Sequence, residues 1–141
     1  MERTADAVWR GTGREGSGVL TTQSGALREV PYSFGMRFGD DKGTNPEELI
    51  GAAHAGCYAM ALAVALGEAG RTPDELRTHA AVTLERTAAG FTVTKIHLTL
   101  RGRVPGIAAE EFRAMADEAK ANCPISRLLK AQITLDAALE G

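Results

Sequence analysis

Apolar positions change period several times along the chain. Val8-Trp9 and Gly18-Val19-Leu20-Thr21-Thr22 are short β-type runs joined by a glycine-rich turn, and Ser24-Gly25 turns the chain again. Residues 27–34 alternate loosely and predict a third strand, followed by Arg37 and a polar loop, Gly39-Asp40-Asp41-Lys42-Gly43. The apolar run 49–66 predicts a long helix, ended by Gly67, Gly70 and Pro73. Residues 79–86 and 91–103 alternate, and Ala88-Ala89-Gly90 between them predicts a hairpin. Over 108–122 the helical period returns with Phe112, Met115, Ala116 and Ala119, and 133–139 closes as a strand. No repeat or linker breaks the pattern. The expectation is one α+β domain over residues 1–141, with antiparallel sheets packed on two main helices.

The long helix has a legible start. Asn45 suits the N-cap, Pro46 the first helical position, and Glu48 then falls at N3. That makes Glu48 a capping-box residue, its carboxylate reaching back to the Asn45 N–H. Glu47 has no such duty. At 100° per residue Glu48 lies about 180° from Cys57 and Glu47 about 80° away, so if one of the two carboxylates has a chemical role it is Glu47. The plainer role for both is a favourable charge on the helix dipole. Further along, Gly51, Ala52, Ala53, Ala55, Gly56, Ala59, Ala61, Ala63 and Ala65 leave little bulk around the cylinder. A helix apolar all round needs cover on every side. A second copy of the chain supplies it; packing inside the chain's own sheet is the alternative.

Composition narrows the function classes. A formal charge of −2 and a pI near 5.9 lack the basic footprint that nucleic acid requires. Charged residues are scattered, so no disordered block stands out. The first eight residues contain no apolar signal core. The 49–66 run has the length of a membrane span, but it is mostly Ala and Gly with His54 inside, which favours a buried helix. The expectation is a soluble, cytoplasmic protein with neither nucleic acid nor membrane as partner.

Two cysteines remain. Cys57 lies deep in the small-residue run, and Cys123 follows an amphipathic stretch and immediately precedes Pro124. Two readings are open: buried cysteines acting as small hydrophobes, or a reactive pair. Reactivity at Cys57 needs a charge, since it lies eleven residues past Pro46 and the dipole fades within the first turn. A thiol near pKa 8.5 is only about 3% thiolate at pH 7, and lowering it to about 6 needs some 3.4 kcal/mol. One guanidinium at about 4 Å supplies roughly 4 kcal/mol at an effective dielectric of 20. Desolvation opposes this, so the Arg must itself be held by a carboxylate. Arg37, flanked by Met36 and Phe38, is the candidate for a buried or interfacial site; an exposed strand-end Arg is the alternative.

The stretch Pro31-Tyr32-Ser33-Phe34-Gly35-Met36-Arg37-Phe38, with Gly43-Thr44-Asn45-Pro46-Glu47-Glu48-Leu49-Ile50-Gly51-Ala52-Ala53-His54-Ala55-Gly56-Cys57, resembles the OsmC branch of the OsmC/Ohr family. Ala121-Asn122-Cys123-Pro124-Ile125-Ser126 is similar to its second cysteine motif, and Trp9, Thr22-Gln23-Ser24-Gly25 and Ile133-Thr134-Leu135-Asp136 extend the likeness over nearly the whole chain. The resemblance implies an intertwined α+β homodimer with active sites at the subunit interface. It implies a cofactor-free thiol peroxidase of oxidative and osmotic stress defence, acting on organic hydroperoxides and less well on hydrogen peroxide. By motif position, Cys57 matches the peroxidatic cysteine, Cys123 the resolving cysteine, Arg37 the activating arginine and Glu47 its carboxylate partner. Lipoylated protein or a small dithiol is the implied reductant. Pro124 is expected to start a short helix through Leu129, with Cys123 near its N-cap. Phe34, Phe38, Met60 and Leu128 are candidates for an apolar substrate cleft, or simply for the core.

Two rival functions stay open. One is a non-enzymatic binder of small hydrophobic molecules. The other is a soft-metal site built from His54, Cys57 and Cys123, for which a fourth ligand is not evident.

Overall fold

In the computed structural model, which describes residues 1–141, the chain starts with a three-stranded antiparallel sheet. Its strands are β1 (Ala5–Arg10), β2 (Ser17–Thr22) and β3 (Val30–Ser33), in that order. Trp9 stands opposite Gly18, and only a hydrogen at Gly18 leaves room for the Trp9 and Tyr32 rings, whose centroids are 5.2 Å apart. The third strand is shorter than its alternation predicts. Ser33 ends it by accepting the Met36 N–H on Oγ at 3.2 Å. That cap starts a five-residue helix, α1 (Phe34–Phe38), so Arg37 sits on a helix and not at a strand end.

The chain's contacts divide it into two units, Met1–Leu49 and Ile50–Gly141, and α2 (Pro46–Glu68) runs from the first into the second. Its cap is the expected one: the Glu48 N–H donates to Asn45 Oδ1 at 2.8 Å. The other half of the capping box differs, because the Glu48 carboxylate accepts from Thr44 Oγ1 at 3.2 Å. Gly70, at φ +73°, closes α2 in a Schellman turn, with Arg71 N–H on Leu66 O and Gly70 N–H on Gly67 O.

The second unit holds the core. β4 (Glu75–Thr87) and β5 (Gly90–Arg103) form the expected hairpin, then α3 (Ala109–Asn122), α4 (Pro124–Leu128) and β6 (Gln132–Glu140) follow. Alternation along β5 buries Ile96, Leu98 and Leu100 on one face. Against them stand Tyr58, Leu62 and Leu66 of α2, with Phe112, Ala116 and Ala119 of α3. The class is α+β. One pairing departs from the all-antiparallel expectation: β6 lies parallel to β5, in sheet order β4-β5-β6. The α3–α4 connection carries the chain back to the end where β5 began, and a returning crossover imposes parallel pairing.

Burial on α2 follows one stripe, Gly51, His54, Tyr58, Leu62 and Leu66, at steps of three and four. Gly51 lets the helix approach β4, where an added Cβ would already touch Val82 and Ala80. The other side is not covered within this chain: Met60 is 71% exposed and Val64 55%. By length and composition alone α2 also meets the measure of a membrane-crossing helix.

Candidate active site

Cys57 is half-buried on α2, and Cys123 is fully buried as the N-cap of α4. Although 66 residues apart, their sulfurs approach to 2.9 Å, Cys123 Sγ donating to Cys57 Sγ. Tyr58, next to Cys57, anchors this part of α2 to α3 by donating its hydroxyl to Ala116 O at 3.1 Å. α3 ends at Asn122 with the Cys123 N–H on Ala119 O, and Pro124 opens α4 at the position where its missing N–H costs nothing.

Within this setting the Cys57 thiol is held above its ordinary pKa. Burial is the main cause, the hydrogen bond and charge of Cys123 add to it, and only a backbone hydrogen bond from Ile125 acts the other way. The start of α4 thus serves Cys57 through the Ile125 backbone N–H.

Below the cysteine pair is a second polar contact between α2 and α4. His54 is fully buried, and its Nε2 lies 2.7 Å from Ser126 Oγ. Burial lowers the His54 pKa from 6.5, so the ring is neutral at pH 7. Its Nδ1 is buried with no partner, a defect that costs about 1–3 kcal/mol. No three His, Cys, Asp or Glu side chains come together in a metal-holding geometry, and His54 spends Nε2 on Ser126. The soft-metal site at His54, Cys57 and Cys123 therefore lacks its geometry.

The other two sequence-predicted residues meet each other. Arg37 donates to Glu47 through Nη2 at 2.6 Å and through Nε at 3.2 Å to both carboxylate oxygens. Glu47 is the more buried partner, 13% exposed against 37% for Arg37. The guanidinium also lies 5.0 Å from the centre of the Phe38 ring.

The four candidate cleft residues separate. Met60 lines an apolar groove of about 430 Å³ beside Cys57, together with Ala61, Val64, Ala65, Glu68 and Pro124. Leu128 is not among its walls and stands 72% exposed. Phe34 lines a different hollow, of about 260 Å³, with Trp9, Tyr32 and Arg37, and Phe38 stacks on Phe34 at 4.8 Å. Ser126 and Ile125 were not singled out in the sequence as site residues. The available signal was mirrored spacing: His54 precedes Cys57 by three residues, and Ser126 follows Cys123 by three.

An α+β chain with two thiols in contact, one half-buried and one fully buried, defines a two-cysteine thiol protein. The OsmC-like protein family model matches residues 39–138, and the chain belongs to that family. It is 50% identical to Peroxiredoxin OsmC of Escherichia coli (strain K12) over 140 residues, 99% of this chain and 98% of that protein. It is 33% identical to the organic hydroperoxide resistance protein of Xanthomonas axonopodis pv. citri (strain 306) over 138 residues, 96% and 93% of the two. In fold it resembles the crystal structure of the organic hydroperoxide resistance protein OhrB of Bacillus subtilis, with a TM-score of 0.69 at 24% identity over 97% and 98% of the chains.

Proposed function

We propose that this chain is a cysteine-based peroxidase that reduces organic hydroperoxides to alcohols, and hydrogen peroxide less well, in oxidative and osmotic stress defence. The observation that carries the reading is the 2.9 Å approach of Cys57 and Cys123, in a chain 50% identical to a peroxiredoxin. Cys57 thiolate attacks the distal peroxide oxygen; the O–O bond breaks, the alcohol leaves, and a sulfenic acid remains. Cys57 is the nucleophile because it is the half-buried thiol beside the groove. Cys123 then attacks the sulfenic sulfur, and the two sulfurs need close by less than about 1 Å to bond. An external dithiol, a lipoylated protein or a small thiol, reduces the disulfide by exchange.

Arg37 supplies what the surroundings of Cys57 lack. Burial raises the thiol, and one backbone hydrogen bond does not offset it, so a cation must stabilise the thiolate and the charge on the leaving oxygen. The forked Glu47 contact supports this role, because it fixes a guanidinium before substrate arrives. The two units act as one functional domain, 1–141, in a cytoplasmic homodimer whose second copy covers Met60 and Val64.

Treatment with one equivalent of an alkyl hydroperoxide is expected to give a Cys57–Cys123 disulfide within one chain, seen by intact mass and peptide mapping. Cys123→Ser should consume a first equivalent and stall as sulfenic acid, open to overoxidation. Two free thiols after peroxide has been consumed would sink the mechanism. A Cys57→Ser protein that keeps its function would favour the non-enzymatic binder.

A further inference from the structure

His54 is the one polar residue of this chain that is fully buried. A leucine or methionine in its place would fill core volume without an orphaned nitrogen, so packing does not account for the imidazole. Its single hydrogen bond does. That bond reaches Ser126 at 2.7 Å, on the short helix that Cys123 caps. α4 is only five residues long: Ile125 packs against the core, none of its residues is fully buried, and Leu128 stands 72% exposed. Beside the Ile125 backbone hydrogen bond to Cys57, two side-chain contacts one turn apart tie α2 to the Cys123–α4 segment: Cys57 with Cys123, and His54 with Ser126. The first is consumed during turnover. The second is chemically inert and can persist through the cycle.

We propose that His54 is a positioning residue for disulfide closure, holding α4 through Ser126 so that Cys123 stays in reach of Cys57 while Cys57 carries oxygen. The inference rests on the two-cysteine peroxidase reading. In the step concerned, the S–O bond of Cys57 sulfenic acid breaks and the S–S bond forms. The hydroxyl leaves with the Cys123 proton as water, so the oxidising equivalent moves from one sulfur to the pair. A second peroxide competes for the same sulfur and gives sulfinic acid. Where Cys123 sits decides between the two fates.

The test uses the full chain with His54→Leu, His54→Gln and Ser126→Ala, the glutamine retaining an N–H near the place of Nε2. The first readout needs no peroxide. Each protein is equilibrated in a buffer of reduced and oxidised glutathione, and intact mass gives the ratio of intrachain disulfide to glutathione mixed disulfide. The effective concentration of Cys123 should fall at least about tenfold in His54→Leu and Ser126→Ala, and recover to within about threefold in His54→Gln. The second readout is single turnover with an alkyl hydroperoxide. Sulfenic acid formation should hold within about twofold while closure slows about tenfold and sulfinic acid accumulates. Unchanged effective concentration in Ser126→Ala overturns the proposal, as does a parallel fall of both chemical steps, which would mark a general packing contact. If His54→Leu fails to fold, Ser126→Ala carries the test. A wild type that closes its disulfide in glutathione but forms no sulfenic acid with peroxide would overturn the peroxidase reading, with the positioning role still decided by the first readout.

Discussion

Arg37 and Glu47 illustrate how much one ion pair can do at the residue scale. A guanidinium held by a fork keeps its direction, so little side-chain freedom is lost when it meets an anion. The pair is partly exposed, and its own worth to stability is about 0–1 kcal/mol. Its removal should therefore be felt in reactivity and not in folding. Arg37→Met is expected to raise the Cys57 pKa by about one unit or more and slow peroxide reduction by about an order of magnitude or more. Alkylation rate against pH measures the first effect, and an unchanged profile would assign activation to another group. Both residues were singled out in the sequence, Glu47 by its angle on the helix and Arg37 by its apolar neighbours, and the structure pairs them with each other. Ser126 was not singled out, because its only signal was a spacing from Cys123 that mirrors His54 and Cys57, and spacing alone does not distinguish a hydrogen-bond partner from a solvated hydroxyl.

At the scale of elements, the site depends on how closely α3 docks on β5. Gly102 makes that approach possible: an added Cβ would sit 2.6 Å from Phe112 Cζ and 3.1 Å from Leu76 Cδ2. Phe112 is 1% exposed and cannot swing away from the strand without opening the core. Gly102→Ala is expected to destabilise the chain by roughly 1–3 kcal/mol, read as a lower urea midpoint. A midpoint equal to wild type would mean that the ring yields at no cost. Because α3 leads directly into Cys123, the same variant should also loosen the cysteine pair. The hairpin, the Asn45 cap and the Gly70 end of α2 followed their local signals, while the Glu48 half of the capping box did not. The parallel course of β6 had none, since an alternating strand looks the same in either direction.

At the scale of the whole molecule, α2 raises a question of reach. It is helical without interruption from Pro46 to Glu68, and ten residues of helix separate the backbones of Glu47 and Cys57 by about 15 Å. We therefore propose that an Arg37 held by Glu47 of one chain serves the Cys57 of a second copy. Mixing Glu47→Gln chains with Cys57→Ser chains tests this. A heterodimer with shared sites retains one site carrying both native residues, so activity should rise above that of either impaired parent. Absence of rescue after confirmed subunit exchange would place both residues in one chain. The exposed Met60 and Val64 are consistent with such a partner.

What the sequence determined by itself is local. Period two and period 3.6 set the strands and helices, Asn45 and Gly70 set the ends of α2, and the motifs around Cys57 and Cys123 carried the resemblance to the family. Proximity was left to the tertiary structure. The 2.9 Å approach of sulfurs 66 residues apart, the Ser126 partner of His54 and the parallel β6 all depend on where the chain crosses back over β5. Pattern encodes which face of an element is apolar, and many side chains satisfy that condition equally. Which of them meet is decided only when the faces pack and each buried polar atom takes the partner within reach.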